Sequence, residues 1–226
     1  MKLENKTIVI TGASSGIGRA LAFQLAQAGN QLVLVARRLA LLQDLHATLA
    51  PHPAGHWLEV CDVADRQQVE ACCARILARN LPVRVLILNA GTGGGFDARR
   101  MDLSVMHQQM DVNFWGVVYM LHGLLPCLLN AGEGQVAVTG SLAAYRGMPG
   151  SAIYSASKAA VSRLVESLRI DLYHSGVHFS LVSPGFVKTA MTDKNQYRMP
   201  FLMSAEKAAA IIIRGMEKNK TEIHFP

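Results

Sequence analysis

Charge is scarce in this sequence. Asp, Glu, Lys and Arg make up 17% of its 226 residues, and half of the chain is hydrophobic. That composition excludes disorder and allows one large domain, residues 1–226, to bury a sizeable core. Cysteine is scarce too. Cys61, Cys72, Cys73 and Cys127 form no C-x-x-C pair. A disulfide framework is thereby excluded, and the thiols fit a reducing compartment, the cytoplasm. No terminal stretch reads as a signal peptide, because Met1–Lys6 runs straight into an apolar strand-like run. A long unbroken apolar segment is missing. Phe114–Leu129 comes nearest, but His122, Gly123 and Pro126 interrupt it, and it falls short of the ~20 residues of a spanning helix. A buried helix is expected there, not an integral membrane segment. The net charge of +6 is spread along the chain without a basic run interleaved with aromatics, so nucleic acid is not an expected partner. His52 and His56 stand four apart, but Pro51, Pro53, Ala54 and Gly55 put them in a loop, and no metal site is expected. Internal repeats, low-complexity tracts and linkers are absent.

What remains is an alternation of strands and helices. Lys6–Thr11 is a β-branched run suited to a buried strand. It enters Gly12, Ala13, Ser14, Ser15, Gly16, Ile17 and Gly18, and then a helix, Arg19–Ala28. Glycines permit a tight turn and let a pyrophosphate approach the backbone. The helix N-terminus adds N–H groups and a positive dipole end. An ordinary strand-to-helix turn has no need of three glycines with two serines between them.

Gln31–Ala36 is the second strand, completing a βαβ unit. Its end should lie beside an adenosine ribose. No acid stands there to accept from the ribose hydroxyls. The residues are Ala36, Arg37 and Arg38, which suit a 2′-phosphate. After the helix Leu39–Ala50 and the strand His56–Val60 comes Asp62, which either accepts from an adenine or caps the helix Asp65–Arg79. Val83–Leu88 is the fourth strand, followed by Asn89, Ala90 and Gly91. Gly93–Gly95 is either a mobile loop at the mouth of a site or a plain flexible loop.

A long helical region, Leu103–Leu129, holds Asn113 in apolar company, as a satisfied core amide or a catalytic one. Strand Gln135–Gly140 delivers Ser141 from its carboxyl end, where active sites of open α/β sheets sit. Helix Ser151–Ser175 carries Tyr154 and Lys158, four apart and so on one face. An ammonium group one turn from a phenol favours the phenolate, and such a tyrosine can exchange a proton with a carbonyl or alcohol oxygen. Ser141 can hold the same oxygen. Strand Val177–Val182 leads into Ser183, Pro184 and Gly185. Phe186–Met203, with Met191, Met199 and Met203, is an adaptable apolar loop suited to substrate. Ser204 caps the last helix, and Thr221–Phe225 is the seventh strand.

In order, TGASSGIG at Thr11–Gly18, NAG at Asn89–Gly91, Asn113, Ser141, Y-x-x-x-K at Tyr154–Lys158 and PG at Pro184–Gly185 resemble the short-chain dehydrogenase/reductase family. The resemblance runs from Lys6 to Phe225. It implies an α/β Rossmann-type domain with a doubly wound parallel sheet of seven strands in the order 3-2-1-4-5-6-7. It also implies hydride transfer between NAD(P)(H) and a small carbonyl or alcohol. By it, Tyr154 is the acid/base, Lys158 assists it and binds the nicotinamide ribose, and Ser141 orients the substrate oxygen. Asn113 would hold a water of a proton relay. Gly12, Ser14, Ile17 and Gly18 would line the pyrophosphate. Asn89 would lie along the adenosine ribose, Asp62 and Val63 at the adenine, and Thr189 on the carboxamide side. Ser15, Gly16, Ala90, Gly91, Pro184, Gly185 and Val187 would complete the cofactor contacts.

Arg37, with Arg38, resembles the arginine of members that prefer NADP(H), which makes NAD(H) the less favoured cofactor. One departure is that members continue past the seventh strand with a pocket-closing segment, whereas this sequence stops at Pro226. A 3-oxoacyl carrier protein reductase is a rival within the class, and the positive charge suits it. An idle dinucleotide sensor is a rival of another class, opposed by the joint presence of Ser141, Tyr154, Lys158 and Asn113. Family members pair through the two long helices, so a homodimer or homotetramer is expected.

Overall fold

The computed structural model describes residues 2–194 and 198–226. Its strands are β1 (Thr7–Thr11), β2 (Gln31–Ala36), β3 (Trp57–Val60), β4 (Val83–Leu88), β5 (Gly134–Thr139), β6 (Val177–Pro184) and β7 (Glu222–Phe225). They form one parallel sheet in the order β3-β2-β1-β4-β5-β6-β7, as the resemblance implies. The inner strands are apolar on both faces because helices cover both. In β1, Ile8 and Ile10 face one layer and Val9 the other; in β2, Leu32 and Leu34 oppose Val33 and Val35. On the first face lie α1 (Gly16–Gln27), α2 (Leu39–Thr48) and α7 (Ala205–Glu217). On the second lie α3 (Arg66–Ala78), α5 (Gly116–Ala131) and α6 (Ala152–Asp171), with α4 (Leu103–Met110) packed on α6.

Several sequence expectations need correction. Helix α1 begins at Gly16, so Gly16, Ile17 and Gly18 form its first turn and do not precede it. The expected helix Leu103–Leu129 is broken into α4 and α5 by a π-helical turn, Asp111–Trp115. The whole stretch Leu103–Ala131 is 29 residues, long and apolar enough to cross a membrane by length and composition, although Phe114–Leu129 within it is short. Its Val117, Leu121, Leu124 and Leu128 are buried in the core on the sheet's second face. Asp62 is not the cap of α3. Asp65 is, accepting the Gln68 N–H at 3.1 Å. Strand β6 runs on to Pro184, and the 186–203 segment is not all loop: Val187 bridges Met203, and Thr192–Lys194 is a 3-10 turn. Residues 195–197 of that segment lie outside the described residues.

Candidate active site

Strand β1 stops at Thr11, and Gly12 leaves it with φ +66°, a left-handed conformation that a side chain disfavours. Space forbids one as well. A Cβ on Gly12 would fall 2.8 Å from Ala90 Cα, and one on Gly18 would fall 2.2 Å from the Gly12 carbonyl oxygen. The first turn of α1 therefore lies directly on the glycine turn. Ser15, its N-cap, makes no side-chain bond to the helix N–H groups, and the first turn holds no acid. The dipole end is left uncompensated, which makes a cradle for an anion and fits a dinucleotide pyrophosphate.

The two arginines after β2 diverge. Arg38 donates to Ser14 Oγ (3.4 Å) and Ser15 Oγ (3.2 Å), so it reaches the glycine turn. Arg37 points to Asp62 (3.4 Å) and keeps 61% of its side chain exposed. Asp62 also accepts the Ala64 N–H at 3.0 Å. Val63 is buried against Gly116, where a Cβ would come within 2.9 Å of it.

The carboxyl ends of three strands are laced together. Thr11 Oγ1 accepts from the N–H groups of Asn89 (3.0 Å) and Ala90 (3.1 Å). Asn89 Nδ2 donates to the Thr11 carbonyl at 3.3 Å, and Thr139 Oγ1 donates to Asn89 Oδ1 at 3.3 Å. The Asn89 amide is thus spent on joining β1, β4 and β5.

On this edge stands Lys158. Its Nζ donates to the Thr139 carbonyl at 2.7 Å and lies 6.0 Å from the centre of the Tyr154 ring. The side chain is fully buried, and loss of hydration lowers its pKa to about 8. Ser157, between the pair in sequence, donates to the Tyr154 carbonyl at 2.8 Å and accepts from Asn113 Nδ2 at 3.0 Å. Asn113 also grips Thr92 at both ends, accepting its N–H (2.8 Å) and donating to its carbonyl (2.9 Å). The sequence left Asn113 open between core and catalysis; its side chain is a fully satisfied buried amide. The π-helical turn delivers it, in a geometry frequent at functional sites.

Gly91 separates these groups. A Cβ there would stand 3.3 Å from Asn113 Oδ1 and 3.4 Å from Lys158 Nζ. Ser141 is buried and caps the 3-10 turn Leu142–Ala144, accepting the Ala143 N–H at 3.1 Å. That bond leaves the hydroxyl proton to donate. A Cβ on Gly93 would meet the Tyr154 ring at 3.6 Å and Met191 Sδ at 3.3 Å. One on Gly16 would meet Thr189 at 2.8 Å, so the segment after Pro184 and Gly185 returns to the glycine turn.

Four residues of this network escaped the sequence reading. Thr11 and Thr139 had a signal, as the polar residues closing apolar strands; Ser157 had its place inside Y-x-x-x-K. Thr92 had none. Among the described residues no group of three or more His, Cys, Asp and Glu is placed to hold a metal. His56 spends both ring nitrogens on backbone, at Leu32 N (3.1 Å) and Ala50 O (2.9 Å).

Comparison with known proteins agrees with this architecture. The profile of the short chain dehydrogenase family matches residues 6–199. Sulfoacetaldehyde reductase of Chromohalobacter salexigens is 40% identical over 187 residues, 82% of this chain and 74% of that protein. An alcohol dehydrogenase of Thermococcus sibiricus, solved with 5-hydroxy-NADP, superposes with a TM-score of 0.87 at 28% identity, covering 97% of this chain and 95% of that one. A short chain dehydrogenase/reductase of Burkholderia phymatum, solved with NAD, gives 0.88 at 27% identity, covering 99% and 90%. With the sheet order and strand-end site already in hand, this chain is an oxidoreductase belonging to the short chain dehydrogenase family.

Proposed function

We propose that the protein transfers hydride between NADP(H) and a small carbonyl/alcohol pair, with Tyr154 as acid/base. The carrying observation is the buried cation Lys158 one turn below Tyr154, in a frame of Ser157, Asn113 and Thr92. The bound cofactor supplies or takes the hydride. Ser141 donates to the substrate oxygen and orients it. Tyr154 gives that oxygen a proton during reduction, and Lys158, protonated at neutral pH, stabilises the phenolate left behind. The Asn113 amide is committed to Thr92 and Ser157, which suits it to holding the frame beside Lys158. Gly12, Ser14, Ile17 and Gly18 would hold the pyrophosphate. A relative named for reducing an aldehyde supports the carbonyl class.

Arg37 and Arg38 would hold the 2′-phosphate, in keeping with the absence of an acid at Ala36. A charge-assisted contact of this kind contributes about 1.5–3 kcal/mol. Arg37 is exposed and must leave Asp62, so the lower value applies. Arg37→Ala is expected to weaken NADPH binding about tenfold and to leave NADH unchanged. A panel of ketones and aldehydes followed by cofactor absorbance tests both parts. No turnover of any carbonyl, or equal kcat/KM with NADPH and NADH, would sink them.

The same family reading supports a homo-oligomer. Between α5 and α6 runs an apolar groove of about 320 Å³, lined by Leu121, Leu125, Leu129, Leu164 and Leu168. In the second half of α6 the buried apolar positions are Val161 and Val165, one residue off the leucine stripe, which leaves Leu164 and Leu168 only partly buried. A two-fold partner would cover this groove. Light scattering at micromolar concentration is expected to give a dimer or tetramer, and Leu164→Arg a monomer. A monomeric parent protein would remove the assignment.

A further inference from the structure

The one fully buried residue of α4 is not apolar. It is Gln109, 2% exposed and one helical turn before Asn113. Its Oε1 has no hydrogen-bond partner among the described residues. Its Nε2 lies 3.7 Å from where a Cβ on Gly94 would stand. The strip in front of it is pinned at both ends. Asn113 holds Thr92 at N–H and carbonyl, and the Phe96 N–H donates to the Gly150 carbonyl at 2.9 Å. Between those pins, no backbone hydrogen bond joins Gly93, Gly94 or Gly95 to another described residue. Gly93 lies against the Tyr154 ring. The three glycines thus arch past the phenol, fixed at the feet and loose at the crown.

We propose that Gln109 is a positioning residue whose side-chain carbonyl latches the N–H of Gly94 or Gly95 and so fixes the arch beside Tyr154. The last torsion of a glutamine is broad and two-fold, so its amide exchanges oxygen and nitrogen at little cost. That turn brings the unmatched carbonyl to the loop. The carbonyl then gains a donor and the glycines, which lose more freedom on ordering than other residues, gain a bond, while the amide NH2 group takes the place the carbonyl held. A latched arch narrows the space over Tyr154 and selects among substrates by fit. This last consequence rests on the proposed carbonyl chemistry; the latch itself does not.

Gln109→Met keeps length and apolar volume but removes the acceptor, whereas Gln109→Glu keeps an acceptor. In the cofactor-free protein, amide hydrogen exchange of residues 93–95 is expected to quicken about fivefold in the Met variant, the worth of one neutral hydrogen bond. The Glu variant should restore part of the protection, and the thermal midpoint of the Met variant should hold. With the best carbonyl of the panel and NADPH, the Met variant should raise KM about fivefold while kcat changes less than about twofold. Unchanged exchange in the Met variant overturns the latch, as does faster exchange throughout α4 with a lowered midpoint. Absence of any turnover by the parent enzyme counts against the proposed reaction and leaves exchange to decide the latch.

Discussion

Tyr154→Phe is expected to lower kcat by about 10²-fold or more, with fold and cofactor affinity retained. Only a hydroxyl is lost. The main chain at this position is held separately, because Ser157 bonds the Tyr154 main-chain carbonyl and Asn113 bonds Ser157. The ring stays available to pack beside Gly93 and Met191. What disappears is the group proposed to exchange a proton with the substrate oxygen. Stopped-flow or steady-state turnover, with NADPH affinity measured separately by fluorescence, checks the split. A variant with near-normal kcat would remove Tyr154 from the mechanism.

Lys158→Met is expected to act in opposite directions on activity and stability. Turnover should fall by about 10²-fold, since the cation beside Tyr154 is gone. Thermal stability of the cofactor-free protein should rise at neutral pH. Burial holds the Lys158 pKa at about 8 against 10.5 in the unfolded chain, a difference of about 3 kcal/mol against the folded state. Losing the bond to the Thr139 carbonyl returns about 1 kcal/mol, leaving a gain of about 2. That corresponds to roughly 4–8 °C in Tm.

The pH dependence fixes the sign. Between pH 8 and 10.5 the unfolded lysine binds more proton than the folded one, so this contribution to parent stability improves as pH rises through that window. The full cost is present below about pH 8. The difference in Tm between variant and parent should therefore shrink toward pH 10. A variant less stable than the parent at pH 7 would contradict the burial argument.

The inner strands were legible because buried parallel strands are written as near-continuous apolar runs, such as Thr7–Thr11 and Val83–Leu88. The placement of Tyr154 and Lys158 on one helix and of the glycine turn at a strand end was legible, because both follow from spacing. The π-helical turn was not, since one residue too many in a helix changes hydrogen bonding without changing composition. Asp62 and Asp65 could not be separated by type; only the Gln68 N–H tells which one caps. Gln109 carried no signal, because the Gln108–Gln109 pair on a largely exposed helix reads as solvated. Divergence of Arg37 and Arg38 depends on partners far away in sequence, Asp62 and Ser15.

The lacing of Thr11 to Asn89 spans 78 residues. Strand β1 lies inside the sheet between β2 and β4 but precedes both in synthesis, and its β4 side stays open until the chain has grown past Leu88. Closing so long a loop is entropically costly before the contacts it permits are made, and it slows assembly. The nascent β1–α1–β2 unit emerges with its glycine turn already written, yet Ala90, which packs on Gly12, arrives only after four more elements. The anion cradle is therefore a late product of folding, and a growing chain exposes β1 as an unpaired edge for the whole interval.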